Sequence, residues 1–347
     1  MASADILCSF KEMNVMSDVA QTADGGAIST SVPSFSIWHP GLVAAVFWFL
    51  TAAITWGLPD VIPWGSQGLF AAMTAVGGGV LVALALTIHH LGALGRRIAY
   101  WGPWFIAVGV WFLVWEYTTA KTGWLPKPFF SPPHGLLQVY VVDWSRLLIC
   151  IGYSLRLWGI GFFSGITVGF ALGVALGWSA RFNYWGMPVL KLIGPVPATA
   201  WIPATFYFFP TTFHASIFLV ALSCGIPVAI LTAAGVSQVN RAFYDVARTL
   251  GANERFLVLK VAVPAALNHV FVGLFMGLYY SFAVLVVAEM LGAKYGLGWY
   301  IAFQSAYSAY ANVYATIVIM AILCSGLVKL LFVARDRLLV WQEKGLI

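Results

Sequence analysis

FHASIFLVALSCGIPVAILTAAG, residues 213–235, runs for 23 positions without an Asp, Glu, Lys or Arg. A helix that crosses a bilayer needs roughly 20 such residues, because its rise must match the hydrocarbon thickness. Working outward, seven more stretches meet the same criterion: 41–59, 67–88, 98–118, 152–177, 189–209, 265–291 and 312–333. The whole chain of 347 residues is 61% apolar and only 9% charged. Soluble domains carry about 25% charged residues, so most of this surface must face lipid. The expected fold is therefore all-α: a polytopic membrane bundle of about eight transmembrane helices. Stretch 189–209 holds Pro195, Pro197 and Pro203. Proline frees carbonyls that lipid cannot satisfy, so this span is expected to be broken and packed inside the protein.

Charge gives an orientation. With the N-terminus in the cytoplasm, the inner segments hold 13 Lys and Arg residues and the outer ones 4, with Arg156 left out at the mouth of a span. The positive-inside rule favours this arrangement, with both termini cytoplasmic. The net charge of +6 is scattered between apolar spans, which argues for topology and against nucleic acid. Residues 1–38 carry Asp5, Lys11, Glu12, Asp18 and Asp24 without an apolar core. They read as a flexible tail and not as a signal peptide. Cys8, Cys150, Cys224 and Cys324 are far apart and form no CxxC or Cys/His pattern, so buried packing is expected for them and no metal site.

The most charged stretch is VSQVNRAFYDVARTLGANERFLVLKVAVP, residues 236–264. Phe243, Val246, Ala247 and Leu250 share one helical face, with Asp245 and Arg248 on another. Gly251 then stands where a left-handed residue ends a helix. A second short helix is expected from Glu254, with Phe256 and Leu257 beside Arg255, and Pro264 marks re-entry to the membrane. Helix, glycine turn and helix present apolar side chains on a basic frame. Such a surface suits docking of another protein; it equally suits an amphipathic loop lying on anionic headgroups. The residues alone leave both readings standing.

ARTLGANERFLVLKVAVPAAL, residues 247–267, resembles the signature loop of the inner-membrane permease subunits of binding-protein-dependent ABC importers. In that family a glycine sits between two short coupling helices, followed at a set distance by apolar residues and proline. Gly251, Val261, Val263 and Pro264 fill those places. Asp245, Val246 and Ala247 stand where the family has an acidic residue and two alanines. LPKPFFSPP (125–133), SLRLWGIGFFSGITVGFALGVALG (154–177), GPVPATAWIPATFYFF (194–209) and VVAEMLGAKYGLGWYI (286–301) are similar, in order, to segments of the nitrate/sulfonate/taurine-type branch. Phe209-Pro210 replaces the usual Phe-Gly. The resemblance covers roughly 105–345 and implies three parts: a cytoplasmic tail over 1–40, two extra helices over 41–97, and a six-helix permease core over 98–347 with its coupling loop at 236–264.

The same resemblance implies the function. The chain would be the non-catalytic transmembrane subunit of an ATP-driven importer in a bacterial inner membrane. Two copies would enclose a pathway for a small solute such as nitrate, bicarbonate, a sulfonate or taurine. Two separate ATPase subunits, which hold the ATP and magnesium, would grip the loop. A separate extracytoplasmic protein would deliver the solute. The residues implied for coupling are Tyr244, Asp245, Ala247, Arg248, Gly251, Ala252, Glu254, Arg255 and Pro264.

Candidate pathway residues are Arg156, Tyr279, Tyr280, Ser281 and Glu289. An ionisable group in a span is a functional candidate because lipid penalises its charge; for Glu289 the plain alternative is a hydrogen bond that holds the end of its span. Arg156 is read as pairing with an acid, the two tyrosines as equally suited to helix packing, and Glu116 beside Trp115 as an interfacial anchor. Gly161, Gly165, Gly169 and Gly173 line one helix face and imply close packing on a neighbour. No GxxxxGK[ST] motif is present, so ATP does not bind this chain through a P-loop. The rival class is a secondary transporter driven by an ion gradient. It needs inverted halves or buried acids in mid-span, and neither is evident.

Overall fold

The computed structural model describes residues 38–340. Among them there are helices and no strands. In chain order they are α1 (His39–Gly57), α2 (Gln67–Thr87), α3 (Gly92–Tyr100), α4 (Gly102–Glu116), α5 (Pro133–Val142), α6 (Trp144–Trp178), α7 (Ala180–Ile193), α8 (Ile202–Phe208), α9 (Thr212–Ser237), α10 (Arg241–Thr249), α11 (Glu254–Phe256), α12 (Val263–Gly292), α13 (Leu297–Ala306) and α14 (Tyr310–Leu338). Of the tail expected over 1–40, residues 1–37 lie outside the described residues, as do 341–347, while His39 and Pro40 already belong to α1.

Six helices are long and apolar enough to cross a membrane, or seven if the bent pair α7 and α8 is one span. All eight expected apolar stretches are helical among the described residues. The one that is not a single long α-helix, besides the bent pair, is 98–118, where α4 has 15 residues before the chain widens into the π-helical turn Tyr117–Lys121. That stretch still runs the length of the neighbouring helix. Gly102 sits against Trp38 and Pro40 at one end of α1, and Lys121 bonds the Thr55 and Leu58 carbonyls at the other. The expected break at 189–209 is present: α7 and the 198–208 segment meet at 89°. The turn 194–197 carries two of the three prolines.

Small residues set the centre of the bundle. A Cβ on Gly161, Gly165, Gly169, Gly173 or Gly177 of α6 would strike α9 at successively later positions, from Ile217 and Val220 to Ala233 and Val236. The two helices are thus parallel and in backbone contact, as close packing through small faces allows. Two parallel neighbours in sequence require a return path between them, and the bent pair supplies it. On the other side of α9, Gly273 and Gly277 of α12 approach Val228 and Cys224, in antiparallel register. Leu157, Val220, Cys224, Leu278, Leu285 and Tyr300 fill the core between α6, α9, α12 and α13. Cys150 and Cys224 are buried and free, as expected, whereas Cys324 is free but only half-buried and Cys8 lies outside the described residues.

Between α5 and α6 the chain turns at Asp143. Its carboxylate accepts from Tyr300 Oη at 2.7 Å and from Asn312 Nδ2 at 3.2 Å, which ties the start of α6 to α13 and α14. Helix α6 then continues for 35 residues, about 52 Å at the helical rise. Its first two turns therefore belong to the end of the bundle away from the 236–264 loop.

Candidate functional site

The 236–264 loop is closed by side-chain caps and a glycine turn. Asn240 caps α10, its side chain accepting from the Ala242 N–H at 3.0 Å. After Thr249 the chain turns through Gly251 at φ +83°. The Gly251 N–H donates to the Arg248 carbonyl at 2.9 Å and the Ala252 N–H to the Ala247 carbonyl at 3.0 Å. This pair of bonds is a Schellman closure, which only a residue at ease with positive φ completes without strain. Asn253 starts the next turn by accepting from the Phe256 N–H at 2.9 Å. The second helix is only Glu254–Phe256, and it passes directly into a π-helical turn, Leu257–Ala262, and then α12. Pro264 stands at the start of α12, directly after the π-helical turn.

The connector is fastened from below and open above. Leu257 and Ala262 are fully buried. Tyr244 packs edge-on against Trp178 at 5.5 Å between centroids, and burial raises its phenol above the ordinary range. Arg248 reaches across the turn to Glu254 at 3.3 Å. In contrast, Phe243, Val246, Leu250, Phe256 and Leu259 are exposed, Leu250 at 82%. Asp245, Ala252 and Arg255 make no contact that defines a further role.

The five candidate pathway residues do not form one site. Ser281 is fully buried and accepts from Trp158 Nε1 at 3.0 Å. Glu289 is fully buried. Its carboxylate accepts from Ser154 Oγ at 2.7 and 2.9 Å and from the Gly298 N–H at 2.9 Å, while Ser154 accepts from the Leu297 N–H at 2.8 Å. Two orphan donors at the N-terminus of α13 are thereby satisfied from α12 and α6. Gly296, at φ +131°, leaves room for that carboxylate, and a Cβ there would meet it at 2.5 Å. Arg156 does not pair with an acid; its guanidinium lies over the Phe213 ring at 5.6 Å.

Tyr279 and Tyr280 are both exposed but on different surfaces. Tyr279 faces Cys324 and Lys329 of α14. Tyr280 lines a cavity of about 800 Å³ between the bent segment, α9 and α12, with Pro195, Pro197, Pro227, Ser223 and Lys191. Lys191 and the prolines were not among the expected pathway residues; the break in span 189–209 was the available signal for them. Glu116 is also corrected: it is not an interfacial anchor but fully buried, 3.0 Å from His134 Nδ1.

A family model described as "Binding-protein-dependent transport system inner membrane component" matches residues 165–340. The chain is similar to the nitrate import permease protein NrtB of Synechococcus elongatus, with 29% identity over 261 residues, 69% of this chain and 87% of the relative. It is similar to NrtB of Leptolyngbya laminosa, with 33% identity over 181 residues, 52% of this chain and 63% of the relative. It is also similar to the bicarbonate transport system permease protein CmpB of Synechococcus elongatus, with 28% identity over 188 residues, 54% of this chain and 65% of the relative.

Proposed function

The chain belongs to the binding-protein-dependent transport system inner membrane component family, and from that premise we propose that it is the permease subunit of an ATP-driven importer for a small anion. The observation that carries the reading is the rigid loop with exposed apolar side chains. A permease whose ATP is hydrolysed by a separate subunit must receive its motion from that subunit. A connector closed by a Schellman pair, anchored by Leu257 and Tyr244, and showing Phe243, Val246 and Leu250 transmits a push instead of absorbing it.

In this account two ATPase subunits, which bind ATP and magnesium, dock on two copies of α10 and α11. The pathway forms where two chains meet. The cavity beside the bent segment is the stretch of it that one chain supplies, with Lys191 and Tyr280 offering a cation and a hydroxyl to an anion. Nitrate and bicarbonate, named for the relatives, are of that class. Glu289 and Ser281 position helices in this account and do not touch solute. The 236–264 loop and both termini face the cytoplasm, and an extracytoplasmic binding protein meets the opposite end. Residues 41–97 form a hairpin added to the core at 98–347.

The test is purification of the tagged chain with its native partners. An ATPase subunit is expected to accompany it, and to be lost when residues 241–256 are replaced by a Gly/Ser linker of equal length. An ATPase retained by the linker variant, or absent from the unaltered chain, overturns the reading.

A further inference from the structure

At the end of the bundle away from the coupling loop, three side chains from three segments converge. Asp60 lies in the connection between α1 and α2, Glu116 ends α4 and His134 is in the first turn of α5. One donor atom from each lies within 4.8 Å of the others. Their side chains are 3%, 0% and 0% exposed, respectively. Two contacts define what each atom is free to do. Glu116 holds His134 Nδ1 with both oxygens, at 3.0 and 3.1 Å. Lys121 Nζ holds Asp60 Oδ1 at 2.6 Å while bonding the carbonyls that end α1. What remains is His134 Nε2 and Asp60 Oδ2. Both are buried without a hydrogen-bond partner, and they face each other at 3.5 Å.

We propose that His134 Nε2 and Asp60 Oδ2 are ligands of a divalent first-row transition ion, with Glu116 fixing the imidazole. Buried polar atoms in native proteins nearly always have a partner, and here two are left facing one another. Donors each about 2.0–2.1 Å from an ion and 3.5 Å apart subtend an angle of about 113–122°, somewhat wider than the tetrahedral value. A carboxylate on Nδ1 selects the tautomer whose Nε2 lone pair is available, the arrangement seen where a second carboxylate orients a metal-bound histidine. The Lys121 ammonium touches Asp60 and the Lys127 ammonium acts on it from further off, so the case for an ion is the pair of orphaned donors and not net charge. A mixed nitrogen and oxygen donor set suits zinc or its neighbours, whereas magnesium and calcium prefer oxygen alone. Such an ion would pin the α1–α2 hairpin to the core, because Asp60 belongs to the hairpin connection and the other two residues to α4 and α5. The proposal does not rest on the transport reading.

The experiment uses the full-length chain in detergent. Elemental analysis is made after purification, and zinc is then titrated into chelator-treated protein, followed by calorimetry and thermal unfolding. About one zinc per chain, and a rise in Tm on adding zinc, are expected because a ligand that binds only the folded state stabilises it. His134→Gln and Asp60→Asn should abolish both, Glu116→Gln should weaken affinity about 10–100-fold, and Glu289→Gln should retain the ion. Folded wild-type chain that gives no heat and no Tm shift with zinc overturns the proposal, and means that His134 closes the gap by donating a proton to Asp60. Zinc bound equally by both ligand variants overturns it too. Should the variants not fold, the wild-type titration decides.

Discussion

The 236–264 loop and the Glu289 cluster are both points where a chain direction is fixed by a glycine at positive φ and a few hydrogen bonds. They differ in what they leave over. At Glu289 every donor has an acceptor: Ser154, Leu297 and Gly298 are all accounted for, and nothing faces outward. Around Gly251 the backbone is equally well satisfied, yet the side chains Phe243, Val246 and Leu250 point away from any neighbour. A polar group in a span and an amphipathic loop both attract attention in a sequence. Only the second has surface to offer a partner. The first is a joint, and the second is a joint with a handle.

The contrast can be broken from either side. The largest expected effect is Gly296→Val, which forces a side chain into the Glu289 carboxylate at a backbone angle that suits glycine. A loss of more than about 3 kcal/mol is expected from strain and lost bonds together, read as a collapse of folded yield on size exclusion. Next is Glu289→Ala, which orphans buried donors at roughly 1–3 kcal/mol each. Thermal unfolding in detergent should show a clear fall in Tm, and a smaller one for Glu289→Gln, which still accepts. An unchanged Tm for both would return Glu289 to the pathway.

Gly251→Asp should do the reverse. Open space surrounds that position, so the local cost is about 1 kcal/mol, while α11 is misdirected and ATP hydrolysis uncouples from uptake in vesicles. Smallest in stability are Val246→Ser and Leu250→Ser, within about 0.5 kcal/mol as surface changes, although each should reduce ATPase retention. A large fall in Tm for these two would mean that the loop packs on the bundle and is not a handle.

Several of these features are visible in the sequence because they are local. The amphipathic turn before Gly251, the charge-free run at 213–235 and the prolines at 195 and 197 each act within a few residues, and each appears where expected. The glycines of α6 are a fair signal for a close neighbour, although nothing in their spacing names α9 as that neighbour. Long-range pairings are not written in any window. Asp60, Lys121 and His134 are 74 residues apart at their extremes, and none stands in a motif. Glu116 beside Trp115 has the look of an interfacial residue until His134 covers it. The eight apolar stretches all prove helical, but nothing in their composition marks the change from α to π geometry at the end of 98–118.

The central claim is that the surface around Gly251 is where an ATPase subunit sits. A photo-crosslinking amino acid at Leu250, in the intact complex in native membranes, tests it most directly, with one at Tyr207 in the bent segment as the comparison; both side chains are more than four-fifths exposed, at 82% and 86%. The account predicts a crosslink from Leu250 to an ATPase subunit and none from Tyr207. A crosslink from Leu250 to lipid alone, or an ATPase captured from Tyr207 instead, would contradict it.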